Sequence, residues 1–312
     1  MMPSMNSHNS QLPTPPPTNE NSSSTLQRIF SLIEGYKSGR YTSDQSWLAF
    51  TVNAEERAEL EQWISEDGYC QDKLHWGYFP PYRRFVIWKP TPAHTMFLAR
   101  LFDEISWQLR TLAEGPAADF VKHVRFQGSS AYTPIDPDYG RHDPDGSFGH
   151  EEQWCPGVVV EAADLEKGKM LRRLAEDYIL GSDLEVRIMV GFQFSQQKKD
   201  ATLSIWRPQW RGDAWYVGSK VTTIRHADGK PNEEPEAGLL LHLRDFASEE
   251  VCKEFGGEID GTIFIPCKSL YDYLVEAEEM MRIRLTPGSP QPALRKRRRS
   301  PTPKEELDTD IE

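Results

Sequence analysis

Four cysteines in 312 residues, with no Cys-x-x-Cys pair and no histidine cluster beside them, leave little from which to build a zinc site or a disulfide framework. No apolar run approaches the roughly 18 residues that a membrane helix needs. The opening MMPSMNSHNSQLPTPPPTNENSSS has no apolar signal-peptide core. No stretch repeats. These absences exclude a secreted disulfide scaffold, a zinc-ribbon module and a membrane-spanning chain, and point to a soluble protein of the cytoplasm or nucleus.

Hydrophobic residues make up only 38% of the chain, because both ends are polar. Residues 1–23 form a Ser/Asn/Pro-rich tract and residues 286–312 a Pro-rich, charged tail, neither able to bury enough apolar surface to fold. Between them, residues 24–285 have the length of a single domain. The formal net charge is −12, with six Lys/Arg and five Asp/Glu from Arg295 onward, so the rest of the chain carries −13. An acidic body repels nucleic acid at long range, which argues against a general DNA-binding module but not against a small cleft.

Ser24 or Thr25 is placed to cap a first helix striped with Leu26, Ile29, Phe30, Leu32 and Ile33. Asn53 and Glu56 form a capping box ahead of a second helix, with Trp63 and Ile64 turned inward. Tyr78 to Tyr82 reads as a turn and Arg84 to Trp88 as a strand. A strong helix follows Pro90-Thr91-Pro92-Ala93-His94, with Phe97, Leu98, Leu101, Ile105, Leu109 and Leu112 at helical spacing and Gly115 as its stop. Further strands are expected at 123–126, 145–148, 157–162, 185–194, 201–207, 215–223, 239–243 and 261–265. Further helices are expected at 170–180, after Ser248, and at 268–284. The alternation predicts an α/β fold: a central mixed β-sheet flanked by helices, with an N-terminal helical addition and a C-terminal α+β addition.

The stretch from Arg141 to Tyr178 holds the one constellation that reads as chemistry. Asp145 follows a polar, Pro-containing lead-in, and sixteen residues later Glu161 ends the apolar run Val158-Val159-Val160. Two carboxylates at the ends of adjacent strands make a hard oxygen site suited to Mg²⁺, with Mn²⁺ as a substitute. One ion at about 2.1 Å from each oxygen requires the two carboxylates to lie within about 8 Å. The plainer readings are that Asp145 is a turn residue of Asp-Pro-Asp-Gly and that the basic residues beyond Glu161 are a solvated helix face. The tryptophans Trp88, Trp107, Trp206, Trp210 and Trp215 are expected in the core and on strand faces, with Trp206 to Trp215 open to a second role in base stacking.

From about Phe85 to Arg207, roughly 120 residues by number, the order of these motifs resembles the PD-(D/E)XK nuclease superfamily. It is most similar to the branch that holds bacterial restriction-endonuclease-like proteins and fungal relatives. The resemblance lies in Pro-Asp-Gly-Ser-Phe, then Pro-Gly-Val-Val-Val-Glu-Ala-Ala, then a basic helix ending in Glu-Asp-Tyr, with a helix upstream. It implies a restriction-endonuclease-like core at about residues 84–224 and a Mg²⁺-dependent phosphodiesterase acting on DNA. In that reading Asp145 and Glu161 hold the metal, helped by Glu104 on the preceding helix, with Asp103 a weaker candidate. The family's catalytic Lys belongs at position 163, which is Ala163. Its replacement is sought on the following segment among Lys167, Lys169, Arg172 and Arg173, with Lys169 and Arg172 preferred. His142 and His150 flank Asp145, where they could assist a metal, and His94 reads as a structural residue at the start of its helix. The alternative reading is an inactive member of the fold serving as an interaction or nucleic-acid-associated module. The block Arg295-Lys296-Arg297-Arg298-Arg299, followed by Ser-Pro and Thr-Pro, reads as a nuclear-import signal.

Overall fold

A computed structural model describes residues 22–40, 47–114, 117–129, 132–136, 138–194, 199–256 and 259–285. The basic block Arg295–Arg299, the C-terminal tail, residues 1–21 of the expected disordered N-terminus and the helix stop Gly115 lie outside the described residues. In chain order the elements are α1 (Ser22–Lys37), β1 (Trp47–Thr51), α2 (Ala54–Glu66), α3 (Gly68–Lys73), β2 (His75–Phe79), β3 (Arg84–Trp88) and α4 (Pro92–Leu112). There follow α5 (Ala118–Val121), β4 (Val124–Gly128), β5 (Gly146–His150), β6 (Val158–Ala163), α6 (Leu165–Gly168) and α7 (Leu171–Ile179). The remainder is β7 (Ile188–Phe194), β8 (Ala201–Arg211), β9 (Ala214–Arg225), β10 (Gly238–His242), α8 (Glu249–Glu254), β11 (Thr262–Pro266) and α9 (Cys267–Leu285).

Six strands form the central mixed sheet in the order β4-β5-β6-β7-β8-β9. Only β6 and β7 run parallel, and α6 and α7 form the crossover that a parallel pair needs. Alternation along β6 then decides what faces where. Val158, Val160 and Ala162 join the core beneath α4 and α9, among Phe97, Leu101, Ile105, Leu270 and Leu274. Val159 and Ala163 face the other way, against Leu171, Leu174 and Tyr178 of α7 and Phe79, Val86 and Trp88 of a second sheet. Glu161, between them in the same phase, is carried to this second face and is fully buried.

That second sheet, β1-β3-β2, is antiparallel and packs its other side on α1 and α2 through Phe85, Ile87, Trp76, Ile29, Ile33, Leu60 and Ile64. The capping box of α2 forms as expected: Glu56 N–H donates to Asn53 Oδ1 at 2.9 Å and Asn53 N–H to Glu56 Oε2 at 2.7 Å. Other expectations need correction. Helix α1 begins at Ser22, so Ser24 and Thr25 lie within it. Residues 75–79 are a strand that runs into the Pro80–Tyr82 turn, and Trp47–Thr51 is a strand that the sequence did not announce. Trp107, Trp210 and Trp215 are exposed rather than core.

The far edge of the central sheet is tied to α9 by charge. Arg225 is buried and donates to both oxygens of Glu278, at 2.8 Å each, and also to the Lys199 carbonyl. Charge-assisted bonds of this kind contribute about 1.5–3 kcal/mol. Arg225→Met is therefore expected to lower unfolding free energy by about 2 kcal/mol, read as a lower urea midpoint at an unchanged slope.

Candidate functional site

Asp145 stands at the mouth of β5, where Gly146 pairs with Val160 of β6. That register brings its carboxylate to the end of β6, and Oδ2 accepts the Ala162 N–H at 2.7 Å. One strand position away, Glu161 Oε1 accepts the Tyr178 hydroxyl of α7 at 2.8 Å. Between the two acids lies the ammonium of Lys167, 2.7 Å from Asp145 Oδ2 and 2.6 Å from Glu161 Oε2. The two acid oxygens are thus no farther apart than those two contacts together allow, inside the limit for a shared ion. All three side chains are almost wholly excluded from solvent.

The lysine arrives from α6, whose first turn is set by Asp164: its Oδ1 accepts the Lys167 N–H at 3.1 Å and its carbonyl the Gly168 N–H at 2.8 Å. Ala163 is fully buried among Val159 and Leu171, so the position where the nuclease resemblance expects a lysine is occupied by core packing. Lys167 reaches the acids from four residues further along and lies 5.0 Å from the centre of the Trp88 ring. A recess of about 10 Å³, large enough for one water, lies beside Asp145 and Lys167 and is bordered by Trp88, Lys89, Pro90 and His94.

One cation cannot neutralise two buried carboxylates equally. Burial alone would raise the Asp145 pKa, but the charge and hydrogen bond of Lys167 and the Ala162 N–H outweigh it and hold the acid below the usual carboxylate range. Burial pushes Glu161 up to about 8, with the Asp145 charge adding to it, against the pull of Lys167 and Tyr178. Burial opposes the charge of Lys167 as well, yet the two acids keep its pKa raised. Near neutrality, then, Asp145 is ionised, Lys167 is charged and Glu161 carries a proton. Tyr178 takes Glu161 Oε1, and the other oxygen, Oε2, has the Lys167 ammonium 2.6 Å away as its neighbour. Burial also keeps the neighbouring His94 neutral.

The preferred basic residues are elsewhere. Arg172 is 80% exposed and pairs with Glu176, Arg173 pairs with Asp177, and Lys169 is exposed. Glu104 is taken up elsewhere, accepting from Gln108 at 2.8 Å and lying beside Tyr273 of α9; Asp103 is exposed. His142 is buried and bonded to Asp177 at 2.7 Å, and His150 lies among Phe120 and Phe255 at the other end of β5. Tyr178 is the residue that sequence reasoning passed over. Leu171, Leu174, Ala175 and Tyr178 mark the inward stripe of α7, and a tyrosine on such a stripe needs a hydroxyl partner.

Among the described residues, no three or more His, Cys, Asp or Glu side chains converge as a metal site, and no helix is long and apolar enough to cross a membrane. Comparison with protein-family models and with curated proteins gives no match.

Proposed function

We propose that this chain is a Mg²⁺-dependent phosphodiesterase with a restriction-endonuclease-like core, acting on nucleic acid. The observation that carries the reading is the meeting of Asp145, Glu161 and Lys167 at one buried point beside a recess. The donor set suits a hard cation: two carboxylates supply part of the shell, and Mg²⁺ keeps several waters rather than demanding a complete protein cage. Tyr178 occupies Glu161 Oε1, which leaves Oε2, now beside the Lys167 ammonium, as the oxygen that would face the ion. A bound Mg²⁺ would polarise a phosphoryl oxygen and lower the pKa of a coordinated water.

The residues of the chain do the rest. Asp145 and Glu161 would hold the ion through their carboxylates, with the Glu161 proton passing to solvent water when the ion binds. Tyr178 holds the Glu161 carboxylate in one orientation through its hydroxyl. Lys167, released from between the acids, presents an ammonium to the attacking water or to the phosphate. Trp88 and the buried strand ends exclude bulk solvent, which strengthens each of these interactions.

The test is cleavage of a supercoiled plasmid and of a single-stranded oligonucleotide with Mg²⁺ or Mn²⁺, run beside Asp145→Ala and an EDTA control. Cleavage by the wild type alone supports the proposal. Equal cleavage by wild type and Asp145→Ala identifies a contaminant. No cleavage by a folded wild type with either metal leaves an inactive binding module as the better reading.

A further inference from the structure

We infer that the groove between the three-stranded sheet and the loop leading to β5 binds a backbone phosphate of a single nucleic-acid strand, next to the Asp145–Glu161–Lys167 cluster. This rests on the proposed hydrolase reading for its location but not for its chemistry. The groove has a volume of about 750 Å³ and is lined from α2, α3, β2 and the segment before Asp145. Its volume is that of a small-ligand site, suited to a short stretch of one strand.

Charge is the first argument. The groove is lined by Arg57, Lys73 and Arg141 against the carboxylates Glu61 and Asp143, a positive balance in a chain whose formal charge is −12. Arg141 is the second. Its guanidinium lies 3.7 Å from the centre of the Trp76 ring, its Nη2 pairs with Asp143 at 3.2 Å, and its Nη1 is buried without a hydrogen-bond partner. A guanidinium held flat, with one edge committed and one donor unused, is preorganised for an oxyanion. Arg57 is fixed in the same way over Tyr78 at 4.3 Å, with its Nε on Glu61 at 2.8 Å. Lys73 is exposed and forms no ion pair among the described residues.

Continuity is the third. His75 lines the groove and Trp88 borders the recess, and the two are directly paired across β2 and β3 with rings 6.1 Å apart. Asp143 lines the groove two residues before Asp145. A phosphate held at Arg141 therefore lies on the part of the groove that adjoins the acid cluster.

The measurement is fluorescence polarisation of a short labelled single-stranded oligonucleotide with the full chain in EDTA, where hydrolysis cannot occur, over a series of salt concentrations. Lys73→Gln is expected to weaken binding and to lower the salt slope by about one. Arg141→Gln is expected to weaken it by tenfold or more, and Glu61→Gln to tighten it, a gain that a misfolded protein cannot show. Unlabelled duplex and a mononucleotide serve as competitors. Equal affinity in wild type and all three variants overturns the inference, as does stronger competition by duplex than by single strand. Full competition by a mononucleotide at the same concentration keeps a phosphate site but overturns the strand. Binding as expected without cleavage under Mg²⁺ removes the hydrolase and leaves the groove; cleavage that Lys73→Gln and Arg141→Gln do not alter does the reverse.

Discussion

Lys167→Met is expected to reduce the proposed Mg²⁺-dependent cleavage by a factor of about 10²–10⁴, the range for losing one positioned group that manages protons or charge in a transition state. The same change removes the only ammonium that contacts both buried acids in the described structure. Breaking a buried pair from one side costs about 3–5 kcal/mol, since the surviving charge has no partner. Here part of that cost is avoided when Asp145 takes up a proton. The variant should therefore be destabilised most above neutral pH. Added Mg²⁺ separates the two roles, because a divalent ion at the proposed site would restore the charge balance at the strand ends but could not supply an ammonium. A Lys167→Met protein that regains its melting temperature in Mg²⁺ and still fails to cleave shows a chemical role. One that cleaves at the wild-type rate shows that Lys167 is only a counter-ion. Lys167→Arg keeps the charge in a wider, planar group and is expected to keep stability better than activity.

The acids of this site were legible because each breaks a local rule. Glu161 ends a run of valines, where a charged side chain is costly without a partner, and Asp145 sits where a strand is about to start. The lysine was harder to read. Helical periodicity needs several turns to show a face, and α6 has four residues separated from α7 by Lys169 and Met170. Lys169 and Arg172 appeared better placed only when the basic stretch was taken as leading into a single helix. The strand His75–Phe79 was hidden for a related reason. Its sequence HWGYF has no polar alternation, since it is buried on both faces between α2 and α7, and the following Pro80-Pro81 draws attention to the turn. The long β8–β9 pair exceeds its expected ends because Gln209, Trp210 and Arg211 continue past the core on hairpin hydrogen bonds alone, with Trp210 packing on Trp215 across the strands at 5.3 Å. Burial pattern marks a strand only while there is something to bury against.

The metal-free protein is expected to lose stability between about pH 5 and pH 9, and Glu161→Gln is expected to remove most of that loss. The folded pKa of Glu161 is about 8, against 4.5 for the unperturbed group, so the folded state holds a proton that the unfolded chain releases. Its contribution is complete below the unfolded value and fades as pH rises through the folded one, amounting to a few kcal/mol over the window. Asp145 titrates below this range and Lys167 above it, so neither shares the slope. His94 and His150, both held neutral by burial, contribute with the opposite sign as pH rises past the usual histidine range. For that reason the quantity to measure is the difference in urea-unfolding free energy between wild type and Glu161→Gln at each pH, in which the histidine terms cancel. A glutamine keeps an oxygen for the Tyr178 hydroxyl and cannot ionise, so the difference should move steadily against the wild type as pH increases. A difference that stays level from pH 5 to pH 9 would mean that Glu161 is already ionised in the fold and that Lys167 neutralises both acids. The proposed Mg²⁺ site gives an independent reading of the same proton: an ion that binds the ionised carboxylate would stabilise the wild type increasingly toward alkaline pH, and Glu161→Gln little and evenly.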